Sequence, residues 1–165
     1  MHFDSSSTTV PAMGTRWSLV TTPLGSPTAR RLLENLDAEL VSMYPEHPYP
    51  PPFGDEEASG VGSVLVVYDG RKATGCGAVR LIDDTTAEIL RMYVLPADRG
   101  RGIGKLLLES LEAEAVGLGA SKVIIETGNR QTNAIDLYQS HGYQRTKTWL
   151  RHPNPHSIFM TRLLD

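Results

Sequence analysis

The period of apolar and polar positions changes several times along the chain, and each change marks a predicted element. The first helical period is an apolar stripe of five residues: Leu32, Leu33, Leu36, Leu40 and Val41. Ser26-Pro27 ahead of it is typical of an N-cap followed by proline in the first turn, and the helix should end near Tyr44. Residues 1 to about 13 show no period and are expected to form a loose tail, whereas residues 15–22 fit a short strand.

The middle of the chain has the composition of β-strands. Three stretches are rich in β-branched and apolar residues and are separated by turn sequences: 61–68, 73–82 and 87–94. Pro96 ends the third stretch, and a new helix begins at Gly102. Its apolar face consists of Ile103, Leu107, Leu111, Ala115 and Leu118.

The last third of the chain alternates between strand and helix. Four elements are predicted there: a strand at 123–127, a helix at 131–141 and strands at 143–150 and 157–163. In the helix we expect Ala134, Leu137 and Tyr138 to face the core. A helix connects the strands that contain Val94 and Val123, so these two should be parallel in a largely antiparallel sheet. The sequence therefore predicts one α/β domain over residues 1–165.

Composition excludes several classes of protein. The 165 residues carry 16 Lys and Arg against 19 Asp and Glu, which argues against a nucleic-acid binder that depends on net positive charge. Cys76 is the single cysteine, so neither an intrachain disulfide nor a multi-cysteine zinc site is available. Prolines separate His152 from His156, and no metal site is predicted. The chain shows no signal-peptide pattern and no apolar run that could span a bilayer, so we expect a cytoplasmic protein without a membrane partner.

Candidate chemistry concentrates between residues 93 and 105. A strand ends there, and three glycines open the next helix, where free amides and the helix dipole favour an anion: Gly100, Gly102 and Gly104. Arg99, Arg101 and Lys105 add positive charge. The spacing does not fit the dinucleotide fingerprint, which needs a third glycine at offset five, and Leu106 stands where a P-loop requires Ser or Thr.

The segment Arg99-Gly-Arg-Gly-Ile-Gly104 resembles the coenzyme A pyrophosphate loop of the GNAT superfamily of acyltransferases. Residues 87–94 are similar to the fourth strand of that family, and residues 133–138 with 141–143 are similar to its second cofactor motif. The resemblance implies a mixed, mostly antiparallel sheet of six to seven strands flanked by about four helices. It also implies acetyl-CoA as cosubstrate, an amine as acceptor and no metal, and it allows a homodimer.

The resemblance also implies roles for individual residues in cofactor binding. Main-chain groups of Met92 and Val94, with Tyr93 between them, would pair with the pantetheine arm. The pyrophosphate would lie on the amides of seven successive residues: Arg99, Gly100, Arg101, Gly102, Ile103, Gly104 and Lys105. Asn133 matches an asparagine that bonds the cofactor; the alternative is a residue that satisfies free amides at the start of a helix.

Two steps of the chemistry need proton transfer. Tyr138 matches the tyrosine that protonates the departing thiolate in this family, and its alternative role is that of a core residue. Glu88 is the first candidate for the general base, since strand alternation places it on one face with Leu90 and Met92, where burial would favour proton uptake. Glu126 is the rival, acting through a water. Each carboxylate could instead pair with an arginine such as Arg91.

The predicted function is transfer of an acetyl group from acetyl-CoA to a primary amine of a small molecule, amino acid or peptide, by direct attack in a ternary complex. The alternative is a module that binds coenzyme A as a sensor without turnover. Cys76 lies in an apolar strand and is expected to be a buried, inert thiol rather than an acyl carrier. The proline-rich loop 44–60 is aromatic and acidic, which suits either a cationic acceptor or a solvated loop tip.

Overall fold

The computed structural model describes residues 9–11, 16–46, 60–147 and 155–165. In this part of the chain the elements are β1 (Thr9–Pro11), β2 (Trp17–Pro23), α1 (Pro27–Met43), β3 (Ser63–Asp69), β4 (Lys72–Leu81), β5 (Thr86–Val94), a 3-10 turn (Pro96–Asp98), α2 (Ile103–Gly117), β6 (Lys122–Gly128), α3 (Thr132–Ser140), β7 (Gln144–Thr146) and β8 (Ser157–Leu163). The predicted α/β class and its order of elements are confirmed.

Two counts differ from the prediction. The described residues form eight strands, because β1 lies within the stretch that was expected to be a loose tail and pairs antiparallel with β2. They contain three α-helices and one 3-10 turn, whereas about four helices were expected. Among the described residues, none of the helices combines the length and apolarity needed to cross a bilayer.

The described residues group into two compact units, and the chain passes between them three times. The first unit comprises Met1–Ala78 and Arg91–Leu107, and the second comprises Val79–Leu90 and Leu108–Asp165. The passages occur within β4, within β5 and within α2, so each of these elements contributes residues to both units.

In the first unit, strands β1, β2, β3 and the start of β4 are antiparallel neighbours. The predicted cap of α1 is confirmed, since the Ala29 amide donates to Ser26 Oγ at 3.2 Å. Four of the five leucine and valine positions of the predicted stripe are buried, but Val41 is exposed because it lies at the edge of the stripe. The start of α2 packs on the sheet through Ile103 and Leu107, which meet Val67 of β3.

In the second unit, β5 and β6 form the expected parallel pair, in register from Thr86 opposite Lys122 to Glu88 opposite Ile124. β6 then pairs antiparallel with β8, and β8 with β7. The predicted faces of the helices need two corrections. Leu118 is exposed because it follows the end of α2, and Ile135 is buried with Tyr138 on α3, where Ala134 and Leu137 are only partly covered.

Candidate active site

The loop between the 3-10 turn and α2 has an unusual backbone. Gly100 and Gly102 have φ values of +76° and +90°, a region that favours glycine. The Leu106 amide donates to the Gly102 carbonyl at 3.1 Å, which is the first bond of α2. Amides in the first turn of a helix point toward its N-terminal end, and such amides can bind an anion.

The surface above these glycines is open. Apart from its chain neighbours, a Cβ atom at Gly100 would meet no atom of the described residues within 4 Å, and one at Gly102 would meet the Trp17 ring at 3.9 Å. A ligand can thus approach the main chain of this loop closely.

Arg99 ties the loop to neighbouring elements of the first unit. Its Nε donates to the Val94 carbonyl at 2.9 Å, and its Nη2 donates to Glu39 Oε2 on α1 at 2.7 Å. The guanidinium also lies 5.6 Å from the centre of the Tyr93 ring. Arg99 was expected to add charge for a phosphate, but in the structure its first contribution is to hold the loop against β5 and α1.

Arg101 is engaged in the same way by two carboxylates. Its Nη1 donates to Asp98 Oδ1 at 2.9 Å and its Nη2 to Asp69 Oδ2 at 2.8 Å. The guanidinium lies 5.7 Å from the Trp17 ring. Asp98 is buried and also pairs with Lys72 Nζ at 2.9 Å. The charge of Arg101 is therefore balanced within the protein, and the loop presents mainly its backbone.

β5 contains a second backbone irregularity just before the residues expected to bind pantetheine. Arg91 has φ +58°, which is uncommon for a residue with a side chain. Its Nη1 donates to Asp37 Oδ1 on α1 at 2.8 Å, with side chains 11% and 18% exposed. The prediction that Glu88 and Met92 share a face was derived from regular strand alternation, which a residue with positive φ interrupts.

After Arg91, β5 is packed closely against β4. The Leu95 amide donates to the Thr74 carbonyl at 2.8 Å. A Cβ atom at Gly75 would lie only 2.7 Å from the Tyr93 carbonyl oxygen. Tyr93 is buried, while Met92 and Val94 are half-buried and pack against Val67 and the start of α2. The glycine at position 75 thus fixes how closely this part of β5 approaches β4.

Glu88 lies in the second unit and is 7% exposed. Its partner is Arg80, whose Nε and Nη2 both donate to Oε2 at 2.9 and 2.8 Å. Arg91, which was expected as a possible partner of this carboxylate, binds Asp37 instead. Both of Arg80's contacts are made to the same carboxylate oxygen, Oε2.

Glu126, the rival candidate, has a different environment. Its side chain is exposed on β6, and Oε1 accepts from Ser157 Oγ at 2.6 Å. Phe159 of β8 is its partner residue in the antiparallel ladder. Glu126 therefore faces solvent at a strand end, as a carboxylate working through a water would require.

Tyr138 and Asn133 both lie on α3, in the second unit. Tyr138 is buried with its ring centre 5.9 Å from that of Tyr143, and burial raises its pKa above the ordinary value for tyrosine. Asn133 is exposed in the first turn of the helix. The N-cap position belongs to Gln131, which makes no side-chain capping bond, so capping does not explain Asn133.

Cys76 is fully buried, as predicted, and burial raises its pKa to about 12. Its thiol donates to the Arg91 carbonyl at 3.8 Å. A thiol in this state is protonated at neutral pH and is a poor nucleophile. Within the described ranges no group of three or more His, Cys, Asp or Glu residues could hold a metal. His152 and residues 47–59 of the proline-rich loop lie outside the described residues.

Several residues that shape the site carry no signal in the sequence. Asp37, Asp69 and Glu39 each bind an arginine that is more than thirty residues away, and only the fold brings them together. Asp98 is different, because its spacing of three residues from Arg101 could have been noticed.

Comparison with known proteins agrees with this geometry. The model of the acetyltransferase (GNAT) family matches residues 29–143. The IAA acetyltransferase of Azospirillum brasilense is 34% identical over 138 residues, which is 81% of this chain and 89% of that protein.

Two solved structures show the same fold. A proposed acyl-CoA N-acyltransferase from Klebsiella pneumoniae has a TM-score of 0.75 and 29% identity, covering 90% of this chain and 98% of that one. A GNAT family acetyltransferase from Elizabethkingia anophelis, solved with acetyl-CoA bound, has a TM-score of 0.65 and 22% identity, covering 90% and 99%. Taken with the loop before α2, the family match leads to one conclusion: this chain belongs to the GNAT family of acetyltransferases.

Proposed function

We propose that the protein transfers an acetyl group from acetyl-CoA to a primary amine of a small molecule, amino acid or peptide. The observation that carries the proposal is the loop from Arg99 to Lys105. Two glycines with positive φ precede the first turn of α2, the surface above them is open, and Arg99 and Arg101 are bound to carboxylates. A backbone site of this kind suits a pyrophosphate. The acetyl-CoA in the Elizabethkingia relative supports the same ligand.

Cofactor binding is assigned to main-chain groups of β5 and of the loop before α2, and to one side chain. We assign the pyrophosphate to the amides of residues 99–105 and the pantetheine arm to the main chain of Met92 and Val94, with Tyr93 between them. Asn133 is assigned to the cofactor through its exposed side chain. Gly75 supports this assignment, because it sets the position of the Tyr93 carbonyl beside β4.

The reaction is a direct acyl transfer in a ternary complex. The amine nitrogen forms a bond to the thioester carbonyl carbon, whose electron pair moves onto the oxygen. When the tetrahedral intermediate collapses, the C–S bond breaks and Tyr138 gives its phenol proton to the leaving sulfur. The nitrogen, which became positively charged on attack, releases its extra proton as the amide forms, and solvent returns a proton to Tyr138. The ammonium form of a primary amine has an ordinary pKa of about 10.4, as in lysine, so the attacking amine must lose a proton at neutral pH.

Glu88 is assigned as the base that takes this proton. Its carboxylate is buried, and Arg80 holds it in place through Oε2. Glu126 is the second candidate; its exposed carboxylate would act through a water. If Glu88 is the base, Glu88→Gln should lower turnover more than Glu126→Gln.

Two measurements test the proposal. Calorimetric titration with acetyl-CoA measures binding, and release of free thiol with a panel of amines, amino acids and short peptides measures turnover against a background without amine. Binding followed by amine-dependent release supports acetyl transfer. Binding without release for any acceptor would favour the coenzyme A sensor instead. Failure to bind acetyl-CoA or coenzyme A would overturn both functions.

A further inference from the structure

Tyr143 contacts the proposed acid Tyr138 through both its main chain and its ring. Its amide donates to the Tyr138 carbonyl at 3.1 Å, immediately after α3 ends. Gly142, with φ +84°, turns the chain back at that point. The rings of the two tyrosines are 5.9 Å apart with planes inclined by 58°, a tilted contact. A displacement of the Tyr143 ring should therefore also displace the ring of Tyr138.

The hydroxyl of Tyr143 is fixed by a carboxylate on another helix. It donates to Glu112 Oε1 of α2 at 2.8 Å. Arg162 of β8 approaches the same carboxylate, with Nη1 at 3.0 Å from both oxygens. The Glu112 side chain is only 12% exposed. Since a carboxylate only accepts, the Tyr143 hydroxyl must donate and has one orientation.

This orientation matters because the proposed proton transfer is unfavourable in itself. An ordinary thiol has a pKa of about 8.5 and an ordinary phenol about 10, so a phenol gives its proton to a thiolate only when the two are well aligned. Burial raises the pKa of Tyr138 further. A displacement near 1 Å can cost roughly a hundredfold in rate.

We infer that Glu112, Arg162 and Tyr143 form a positioning unit that holds Tyr138 in place for protonation of the leaving thiolate. The inference rests on the proposed function, because it gives Tyr138 the role of acid. The three residues come from α2, β8 and the turn after α3, and the contact with Tyr138 is made by Tyr143. They are positioning residues and do not contact the reacting atoms.

A double-mutant cycle in turnover tests the inference. Tyr143→Phe removes one hydroxyl and keeps the ring. We expect it to lower kcat about ten- to a hundredfold while the KM for acetyl-CoA stays within about twofold. In the Tyr138→Phe background the same change should alter kcat by less than about twofold, because there is no acid left to position.

A charge variant and its control complete the experiment. Glu112→Gln removes the ion pair with Arg162 and should also lower kcat only when Tyr138 is present. Glu114→Gln makes the same change at an exposed position of α2 and should leave kcat unchanged. Thermal melts and coenzyme A titration of each variant establish the folded, binding-competent fraction.

Each outcome decides the matter. Loss of kcat that depends on Tyr138 supports the positioning unit. Equal losses in both backgrounds would show that Tyr143 has a general structural role and would overturn it, as would an unchanged kcat for Tyr143→Phe. If Tyr138→Phe alone keeps full turnover, Tyr138 is not the acid. That single measurement would then overturn the positioning unit as well.

Discussion

Replacing Gly102 by alanine and by aspartate separates two effects at the proposed pyrophosphate site, backbone strain and charge. With φ +90°, Gly102 occupies a region that costs other residues roughly 1–2 kcal/mol. An added Cβ would meet no protein atom closer than the Trp17 ring at 3.9 Å, so packing adds little. Gly102→Ala should therefore lower the free energy of unfolding by about that strain, or roughly 2–8 °C in Tm.

The effect on acetyl-CoA binding is worked separately, because strain present in both free and bound protein does not change affinity. Aspartate adds a negative charge facing the pyrophosphate. At about 4 Å, two unit charges repel by about 1 kcal/mol in water and about 4 kcal/mol near a protein surface. Gly102→Asp should thus weaken acetyl-CoA binding by between about fivefold and about a thousandfold. Gly104→Asp should act in the same direction.

Arg101→Ala provides the contrast, since Asp98 and Asp69 already balance its charge. We expect it to change affinity by less than about fivefold. Calorimetric titration at fixed ionic strength measures all variants.

Gly119 offers a matched control. Its φ is +96°, a Cβ there would meet no atom of the described residues within 4 Å, and it follows the far end of α2. Gly119→Asp should reproduce the strain without the loss of affinity. Equal, small losses for Gly102→Asp, Gly104→Asp and Arg101→Ala would mean that the phosphates bind elsewhere.

Three further predictions concern the chemistry and its support. Tyr138→Phe should lower kcat about a hundredfold or more and leave the KM for acetyl-CoA nearly unchanged, as steady-state kinetics would show; an unchanged kcat would make it a core residue. Glu88→Gln should reduce turnover at neutral pH by about 10²–10⁴-fold, with partial recovery at higher pH as more amine becomes neutral, and Glu126→Gln should do less. If the pH–rate profiles showed a larger loss of turnover for Glu126→Gln than for Glu88→Gln, the two assignments would be exchanged. In Gly75→Ala the added Cβ would lie 2.7 Å from the Tyr93 carbonyl oxygen and would push it away, so Tm and acetyl-CoA affinity should both fall. An unchanged Tm together with an unchanged affinity would show that β5 tolerates the shift.

The elements that could be predicted from the sequence are those with a strong local signal. The cap at Ser26, the parallel pair made by the crossover helix and the bounds of β8 all follow from patterns within a few residues. The faces of helices were predicted less well, because a stripe several residues wide does not show which edge is covered. Val41 is exposed for that reason, whereas Leu118 is exposed because the helix ends at Gly117, one residue before it.

The same contrast between local signals and long-range contacts holds for the site. The glycine loop could be located from spacing alone, whereas the partners of its arginines could not, since Asp69 and Glu39 reach them only through the fold. The positive φ of Arg91 could not be predicted either, because the partner of its side chain, Asp37, is 54 residues away in sequence. The assignments of the site residues, the single domain, the cytoplasmic location and the homodimer stay predictions.

The threefold passage of the chain between the two units bears on how the protein could be dissected. Because the passages fall inside β4, β5 and α2, no single cut yields either unit as one continuous piece. A fragment ending at residue 107 would keep residues 79–90 of the second unit but would lack β6, with which residues 86–88 pair. Split reporters and domain fusions should therefore join the chain at turns that lie within one unit, such as Asp83-Asp84 between β4 and β5, where the backbone reverses over exposed residues.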